Sequence, residues 1–123
     1  MKKFIYLVFF IIFCFVIKKE VYATHAAGMD ISYECISRGT FSDSYKITVK
    51  FYRDCSGVGA PSSVSLEFTS SCNSNYTNLN QIGTPIVLNA QCSNLCNGGA
   101  VIGIEEYTYE GIITLDHCSD WVL

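Results

Sequence analysis

The sequence of 123 residues predicts an all-β fold, an antiparallel β-sandwich cross-linked by disulfide bonds. Apolar and polar residues alternate with a period of two in several short segments, as in strands that bury one face. Turn-forming glycine, proline, serine and asparagine residues separate these segments. No window places apolar residues at helical spacing over three turns, which excludes long helices as the main elements.

The first two predicted strands form an antiparallel hairpin around the sequence SRGT at positions 37–40. The apolar face of this hairpin consists of Met29, Ile31, Tyr33, Cys35, Tyr45, Ile47, Val49 and Phe51. Charged and small polar residues occupy most positions between them, so we expect the opposite face of the hairpin to contact water.

The middle of the chain predicts one further strand and one short strand. The third strand follows Pro61, and its apolar face consists of Val64, Leu66 and Phe68. The polar sequence SSCNSNYTNLN at 70–80 predicts a loop rather than a strand. Residues 86–88 are apolar and predict at most a short fourth strand.

The last complete strand is predicted over residues 107–115. Its apolar face consists of Tyr107, Tyr109, Ile113 and Leu115. Gly111 lies on the same face, and a missing side chain there indicates a bulge or a close approach of another backbone segment.

An apolar segment at 4–17 follows two lysine residues near the start of the chain. Its 14 residues are fewer than the ~20 that a transmembrane helix needs. Residues 1–23 are therefore predicted to be a signal peptide, with Thr24 as the first residue of the mature chain. An uncleaved membrane anchor is the alternative interpretation.

Residues 24–123 contain no repeat or linker and predict one β-sandwich domain. The apolar residues at 121–123 resemble the start of another strand, so we expect the domain to be incomplete at its C-terminus. The domain carries four Lys or Arg residues against ten Asp or Glu residues, a net charge of −6. This charge excludes a nucleic-acid partner, and we expect membrane contact only through the signal peptide during export.

Six cysteines follow the predicted signal peptide, and oxidising conditions outside the cytoplasm predict three disulfide bonds among them. This framework consists of Cys35, Cys55, Cys72, Cys92, Cys96 and Cys118. If successive strands run antiparallel, the first, third and sixth of these lie at one end of the sheet and the others at the opposite end. Cys35 and Cys55 are then too far apart to pair.

The residues predict a non-enzymatic protein without a cofactor or a metal. The sequence contains no nucleophile elbow and no glycine-rich loop that opens a helix. An exported metal-binding or carbohydrate-binding protein is the alternative. Its zinc version uses Cys92, Cys96, His117 and Cys118 as ligands, and its carbohydrate version uses exposed rings such as Tyr52, Tyr76 and Trp121.

Four motifs, taken in order, resemble a known family. They are THAAGMDISYEC, ITVKFYRDCSGVGAPSSVSLEF, CNGGAVIGIEEYTYEGIITL and CSDW. Together they resemble the N-terminal domain of large secreted surface proteins of the Bacteroidota, described as gliding-motility-associated or PKD-domain-containing and exported by the type IX system.

The resemblance implies an immunoglobulin-like, disulfide-bonded β-domain with an adhesive or structural role. It implies a location on the cell surface or in the medium, or in the periplasm if the chain is truncated. Its partners are then neighbouring domains of a longer chain, or cell-surface proteins and glycans. The resemblance carries no catalytic or ligand-binding residue over to this sequence. Relatives continue past the tryptophan of CSDW with a strand that ends in a paired-cysteine motif and with further modules, whereas Val122 and Leu123 alone follow that tryptophan in this sequence.

Overall fold

The computed structural model describes residues 26–88 and 92–123, which form one antiparallel sheet of five strands. The strands are β1 (Ala26–Arg38), β2 (Ser42–Asp54), β3 (Ser63–Thr69), β4 (Ser74–Val87) and β5 (Ile104–Asp116). Their order in the sheet is β1-β2-β5-β4-β3. The predicted signal peptide, residues 1–23, lies outside the described residues.

The all-β antiparallel class is confirmed, whereas the immunoglobulin-like sandwich is not. The five strands belong to a single sheet that curls into a half-barrel. A sandwich requires two sheets that pack face to face. None of the described residues forms a helix with the length and hydrophobicity needed to cross a bilayer.

The hairpin of β1 and β2 has the predicted faces. Ile31 pairs with Val49 and Tyr33 pairs with Ile47, so the apolar residues of both strands share one side of the sheet. β2 then pairs along its whole length with β5, in a register that joins Ile47 to Gly111. The central strands of the sheet therefore come from distant parts of the chain.

The prediction of a loop over 70–80 is wrong for its second half. β4 begins at Ser74 and runs for 14 residues, so the polar sequence NYTNLN is a strand and the predicted short strand is only its end. The side chains of Asn75 and Thr77 donate hydrogen bonds to backbone carbonyls of β5, at 3.1 and 3.0 Å. These polar side chains are retained in the strand because they find partners on the neighbouring strand.

The core lies on the concave side of the curled sheet. Its buried residues are Ile47, Val49, Phe68, Leu79, Tyr109, Ile113 and Leu115. Gly111 sits among them in an unbroken ladder with β2, so the strand has no bulge there. A Cβ atom at Gly111 would lie 3.0 Å from the backbone oxygen of Asn78 and 2.5 Å from Cδ2 of Leu79, and the first distance confirms the predicted close approach of another backbone segment.

The convex side of the sheet is polar. Lys46 lies 2.8 Å from Glu110, and Lys50 lies 3.0 Å from Glu106, in ion pairs between β2 and β5. Because both lysines are well exposed, each pair contributes little to stability. The two faces of the sheet thus differ as the period-two pattern predicts.

Candidate functional site

Two disulfide bonds connect the loops at opposite ends of the sheet. Cys72 bonds to Cys118, with 6.4 Å between their Cα atoms. Cys55 bonds to Cys96, with a Cα separation of 5.2 Å. Each pair joins cysteines that the strand directions place at the same end, and Cys35 does not pair with Cys55, as predicted.

Cys35 and Cys92 are exposed and form no disulfide bond. The structure therefore contains two disulfide bonds among the described residues, where the cysteine count predicts three. Each end of the sheet holds three cysteines, so one at each end remains without a disulfide partner. The two unpaired thiols, those of Cys35 and Cys92, therefore lie at opposite ends of the sheet.

The structure does not bring the four predicted zinc ligands together. Cys96 is bonded to Cys55 after the end of β2, whereas His117 and Cys118 follow β5 beside the start of β2. The 13 residues of β2 separate these two places by roughly 40 Å. A single tetrahedral ion cannot span that distance.

The motif YRDCSG forms a buried support for one disulfide bond. Arg53 is only 8% exposed, and its guanidinium donates hydrogen bonds to the carbonyl oxygens of Asp54, Cys55 and Val58 at 3.1, 3.1 and 2.7 Å. Its Nε also lies 3.5 Å from a carboxylate oxygen of Glu105. The arginine therefore holds the loop that carries Cys55, a structural role that the sequence analysis missed.

Asn94, two residues before the motif CNGG, and the motif itself form the other half of this support. Asn94 is fully buried, accepts a hydrogen bond from the backbone N–H of Cys96 and donates one to the carbonyl oxygen of Cys92, each at 2.9 Å. Gly98 ends the short 3₁₀ turn with a φ of 83°, a left-handed conformation that favours glycine. An Asn followed three residues later by a second Asn and then by Gly is the sequence signal from which this cap could have been found.

An apolar groove opens between the two edges of the half-barrel, and we call it the edge groove. It has a volume of about 800 Å³. β1 forms one wall of the edge groove and residues 121–123 form the other. Its apolar lining consists of Ile31, Tyr33, Tyr45, Ile47, Phe68, Leu115, Trp121, Val122 and Leu123.

The wall at residues 121–123 continues the sheet beyond β3. Val122 and Thr69 exchange two backbone hydrogen bonds, at 2.8 and 2.9 Å, in an antiparallel bridge. The indole N–H of Trp121 donates a hydrogen bond of 2.9 Å to the carbonyl oxygen of Asp116. The predicted start of a further strand at 121–123 is thus present as one bridge.

One end of the edge groove is polar. Asp43, Asp116 and His117 line it, and no Lys or Arg of the described residues does. The ring of His117 lies 3.1 Å from a carboxylate oxygen of Asp43, and this hydrogen bond lowers the pKa of Asp43. Asp43 is therefore ionised at neutral pH.

The other candidate side chains are dispersed. The hydroxyl group of Tyr52 donates a hydrogen bond of 3.2 Å to Asp30 on the convex face, and Tyr76 is 71% exposed on β4. Glu106 pairs with Lys50, whereas Glu105 accepts a hydrogen bond from the hydroxyl group of Tyr107 on the other face. Of the three rings considered for carbohydrate binding, Trp121 lines the edge groove, whereas Tyr52 and Tyr76 do not.

The edge groove suits noncovalent contact with an apolar ligand, since its lining is mainly hydrocarbon and aromatic. Its polar groups lie at one end, where they can orient a ligand. No protein-family model, curated protein or solved structure matches this chain.

Proposed function

We propose that the chain is a non-enzymatic structural or adhesin-type module that works outside the cytoplasm, at the N-terminal end of a larger secreted protein. The observation that carries this proposal is the pair of disulfide bonds at the two ends of the sheet. Disulfide bonds of this kind persist in oxidising compartments and are rare in the cytosol. The predicted signal peptide supports the same location.

Two buried polar side chains, one within the motif YRDCSG and one just before CNGG, support a scaffold role. Arg53 and Asn94 use their polar groups to hold the loops around Cys55 and Cys96 rather than to present them to a substrate. The proposal includes an immunoglobulin-like sandwich fold for the domain and export of the protein by the type IX system. The open side of the half-barrel leaves room for a second sheet. Neighbouring domains, cell-surface proteins or glycans are the proposed partners.

Expression of the whole chain with its predicted signal peptide, residues 1–23, followed by cell fractionation and mass spectrometry, tests this proposal. We expect the protein outside the cytoplasm with an N-terminus near Thr24. Its non-reduced mass should be four hydrogen atoms below that of the fully reduced chain, because two disulfide bonds are formed. A variant with both Cys72→Ser and Cys118→Ser serves as the control and should lose half of this difference. A folded cytosolic protein with every thiol reduced contradicts the proposal.

Carbohydrate binding is the second candidate function, and the exposed ring of Tyr76 favours it. This ring stands beside Glu67, Ser74 and Asn75, a combination of an aromatic surface with polar groups that suits a sugar. A glycan array with the wild type and with Tyr76→Ala tests it. Signals that persist in Tyr76→Ala contradict a role for this ring. The zinc alternative has no comparable support, because Cys96 and Cys118 are bonded at opposite ends of the sheet.

A further inference from the structure

We propose that Cys92 and the disulfide bond between Cys55 and Cys96 form an intramolecular thiol–disulfide exchange switch. The Cys92 thiolate attacks Sγ of Cys96, so a Cys92–Cys96 bond forms, the Cys55–Cys96 bond breaks, and Cys55 leaves as a thiolate. Cys92 gives its proton to water before the attack and Cys55 takes one up afterwards, so no oxidant or reductant is consumed. The inference goes beyond the proposed function, because it gives the domain a second covalent state.

The backbone of Cys92 is held against the 3₁₀ turn that carries Cys96. Its carbonyl oxygen accepts hydrogen bonds from the side-chain amides of Asn94 and Asn97, at 2.9 and 3.0 Å. The side-chain oxygen of the same Asn94 accepts a hydrogen bond of 2.9 Å from the backbone N–H of Cys96. One buried carboxamide therefore connects the two cysteines, which are separated by three residues in the chain.

The exposure of the three cysteines favours an internal attack over an external one. Cys92 is exposed and carries a free thiol, so it can ionise in contact with water. Cys55 and Cys96 are half-buried. A Cβ atom at Gly103 would lie 2.5 Å from Sγ of Cys96, so the backbone that leads into β5 covers this sulfur. A thiol tethered beside the bond thus has an advantage over a dissolved one.

Two charged side chains beside the bond affect how readily Cys55 leaves. A carboxylate oxygen of Glu105 and the two bonded sulfur atoms all lie within 4.8 Å of one another. Negative charge at this distance disfavours a thiolate, so Glu105 slows the exchange. Arg53 lies 3.5 Å from Glu105 and donates a hydrogen bond to the carbonyl oxygen of Cys55, and its positive charge acts in the opposite sense.

The exchange changes which parts of the fold the bond connects. The Cys55–Cys96 bond joins residues that are 41 positions apart, and it ties the loop after β2 to the 3₁₀ turn. A Cys92–Cys96 bond lies within one local segment and leaves the loop after β2 without a cross-link. The switch therefore releases a long-range connection while the number of disulfide bonds stays the same.

The cysteines at the opposite end of the sheet provide an internal comparison. Cys35 lies on β1, and its thiol donates a hydrogen bond of 3.7 Å to the carbonyl oxygen of Ser37. β2 lies between β1 and β5, the strand that leads to Cys118. Cys35 is therefore on a different element from both Cys72 and Cys118, and we expect no exchange at that end.

Chromatography of disulfide isomers tests the inference on the purified mature protein with both disulfide bonds formed. The isomers are separated at about pH 3, where thiols are protonated and exchange stops. The isomer with the Cys55–Cys96 bond is then returned to about pH 8.5, sampled over time and assigned by peptide mass spectrometry. We expect a Cys92–Cys96 isomer to appear with first-order kinetics, at a rate that does not change when the protein is diluted.

Matched variants separate the attacking thiol from the other groups. Cys92→Ser should form no new isomer, whereas Cys35→Ser should behave as the wild type. Glu105→Gln should speed the exchange several-fold, because it removes the negative charge beside the sulfur atoms. Glu106→Gln is its control, since it makes the same change on the opposite face of the same strand, and it should leave the rate unchanged.

Cys55→Ser should contain a Cys92–Cys96 bond, because the target sulfur of Cys96 then has Cys92 as its neighbour on the same turn. The kinetics of the wild type depend on no variant, so the inference is testable even where a variant does not fold. The absence of a Cys92–Cys96 isomer from the wild type overturns the inference. Isomers with bonds to Cys35 that appear at a comparable rate also overturn it, since opening of the whole sheet then accounts for both.

Discussion

The hydroxyl group of Tyr109 donates a hydrogen bond of 2.7 Å to the carbonyl oxygen of Pro61. This bond links the centre of β5 to the segment that leads into β3, two strands that are not neighbours in the sheet. The ring of Tyr109 is fully buried, whereas Pro61 is exposed at the surface. The bond adds a polar link to the packing of Val64, Leu66 and Phe68 of β3 on the core.

Replacement of Tyr109 by Phe should destabilise the domain by about 1–2 kcal/mol, because the carbonyl oxygen of Pro61 loses its partner within the protein. Chemical denaturation measures this change. Tyr76→Phe is the matched control, since Tyr76 is 71% exposed and should change stability by less than ~0.5 kcal/mol. Equal stability of Tyr109→Phe and the wild type would show that water replaces the bond at no cost.

The buried tyrosines predict a loss of stability at alkaline pH. Burial raises the pKa of Tyr109, and burial together with the hydrogen bond to Glu105 raises the pKa of Tyr107. The folded state therefore keeps these phenols neutral above the pKa of about 10 of an unfolded tyrosine. The stabilising contribution is complete below about pH 10 and disappears as the pH rises through the folded-state values.

Thermal unfolding between about pH 8 and pH 11, with phenolate absorbance recorded in parallel, measures this effect. Cys35→Ser with Cys92→Ser is the suitable background, because free thiols exchange with disulfide bonds at alkaline pH. Tyr109→Phe should flatten the pH dependence. A melting temperature that stays constant up to about pH 11 is incompatible with this prediction.

Gly111→Ala should destabilise the domain by about 1–3 kcal/mol, the usual effect of overpacking a core. The added Cβ atom would meet Cδ2 of Leu79 at 2.5 Å and the backbone oxygen of Asn78 at 3.0 Å. Leu79 is fully buried and has little room to move. Gly28→Ala is the control, because the nearest atom to its Cβ would be 3.8 Å away. Similar denaturation midpoints for the two variants would rule out the tight contact.

Loss of either disulfide bond should cost about 2–5 kcal/mol, since each closes a long loop. The bonded residues are 41 and 46 positions apart in the chain. Paired serine substitutions at Cys55 and Cys96, or at Cys72 and Cys118, should lower the denaturation midpoint. The same change at the two unbonded cysteines should have an effect below ~0.5 kcal/mol. If that last variant loses as much stability as the others, the pairing is different.

Arg53→Lys should destabilise the domain by about 2–3 kcal/mol, although it preserves the charge. A lysine cannot donate to the carbonyl oxygens of Asp54, Cys55 and Val58 at once, because it lacks the planar fork of the guanidinium. Lys50→Met removes an exposed ion pair as the control and should change stability by at most ~1 kcal/mol. Denaturation curves that coincide for the wild type and Arg53→Lys would exclude this role.

Local patterns in the sequence were sufficient to predict which residues of each strand face the core. The alternation from Met29 to Phe51 placed the inner residues of β1 and β2 correctly, because side chains of a strand point to opposite sides in turn. The position of Gly111 on the inner face, where the other residues of β5 carry large side chains, indicated that another part of the chain comes close to it. The polar strand over 74–80 was missed, because Asn75 and Thr77 find their partners on β5 rather than near themselves in the chain.

The sequence by itself determined the strand class, the two faces of the sheet and the end of the sheet at which each cysteine lies. These properties depend on neighbouring residues and on strand direction. The tertiary structure decided which cysteines bond, that β2 and β5 form the centre, and that β1 and residues 121–123 enclose a groove. These properties depend on contacts between residues more than 40 positions apart, which alternation along the chain does not encode.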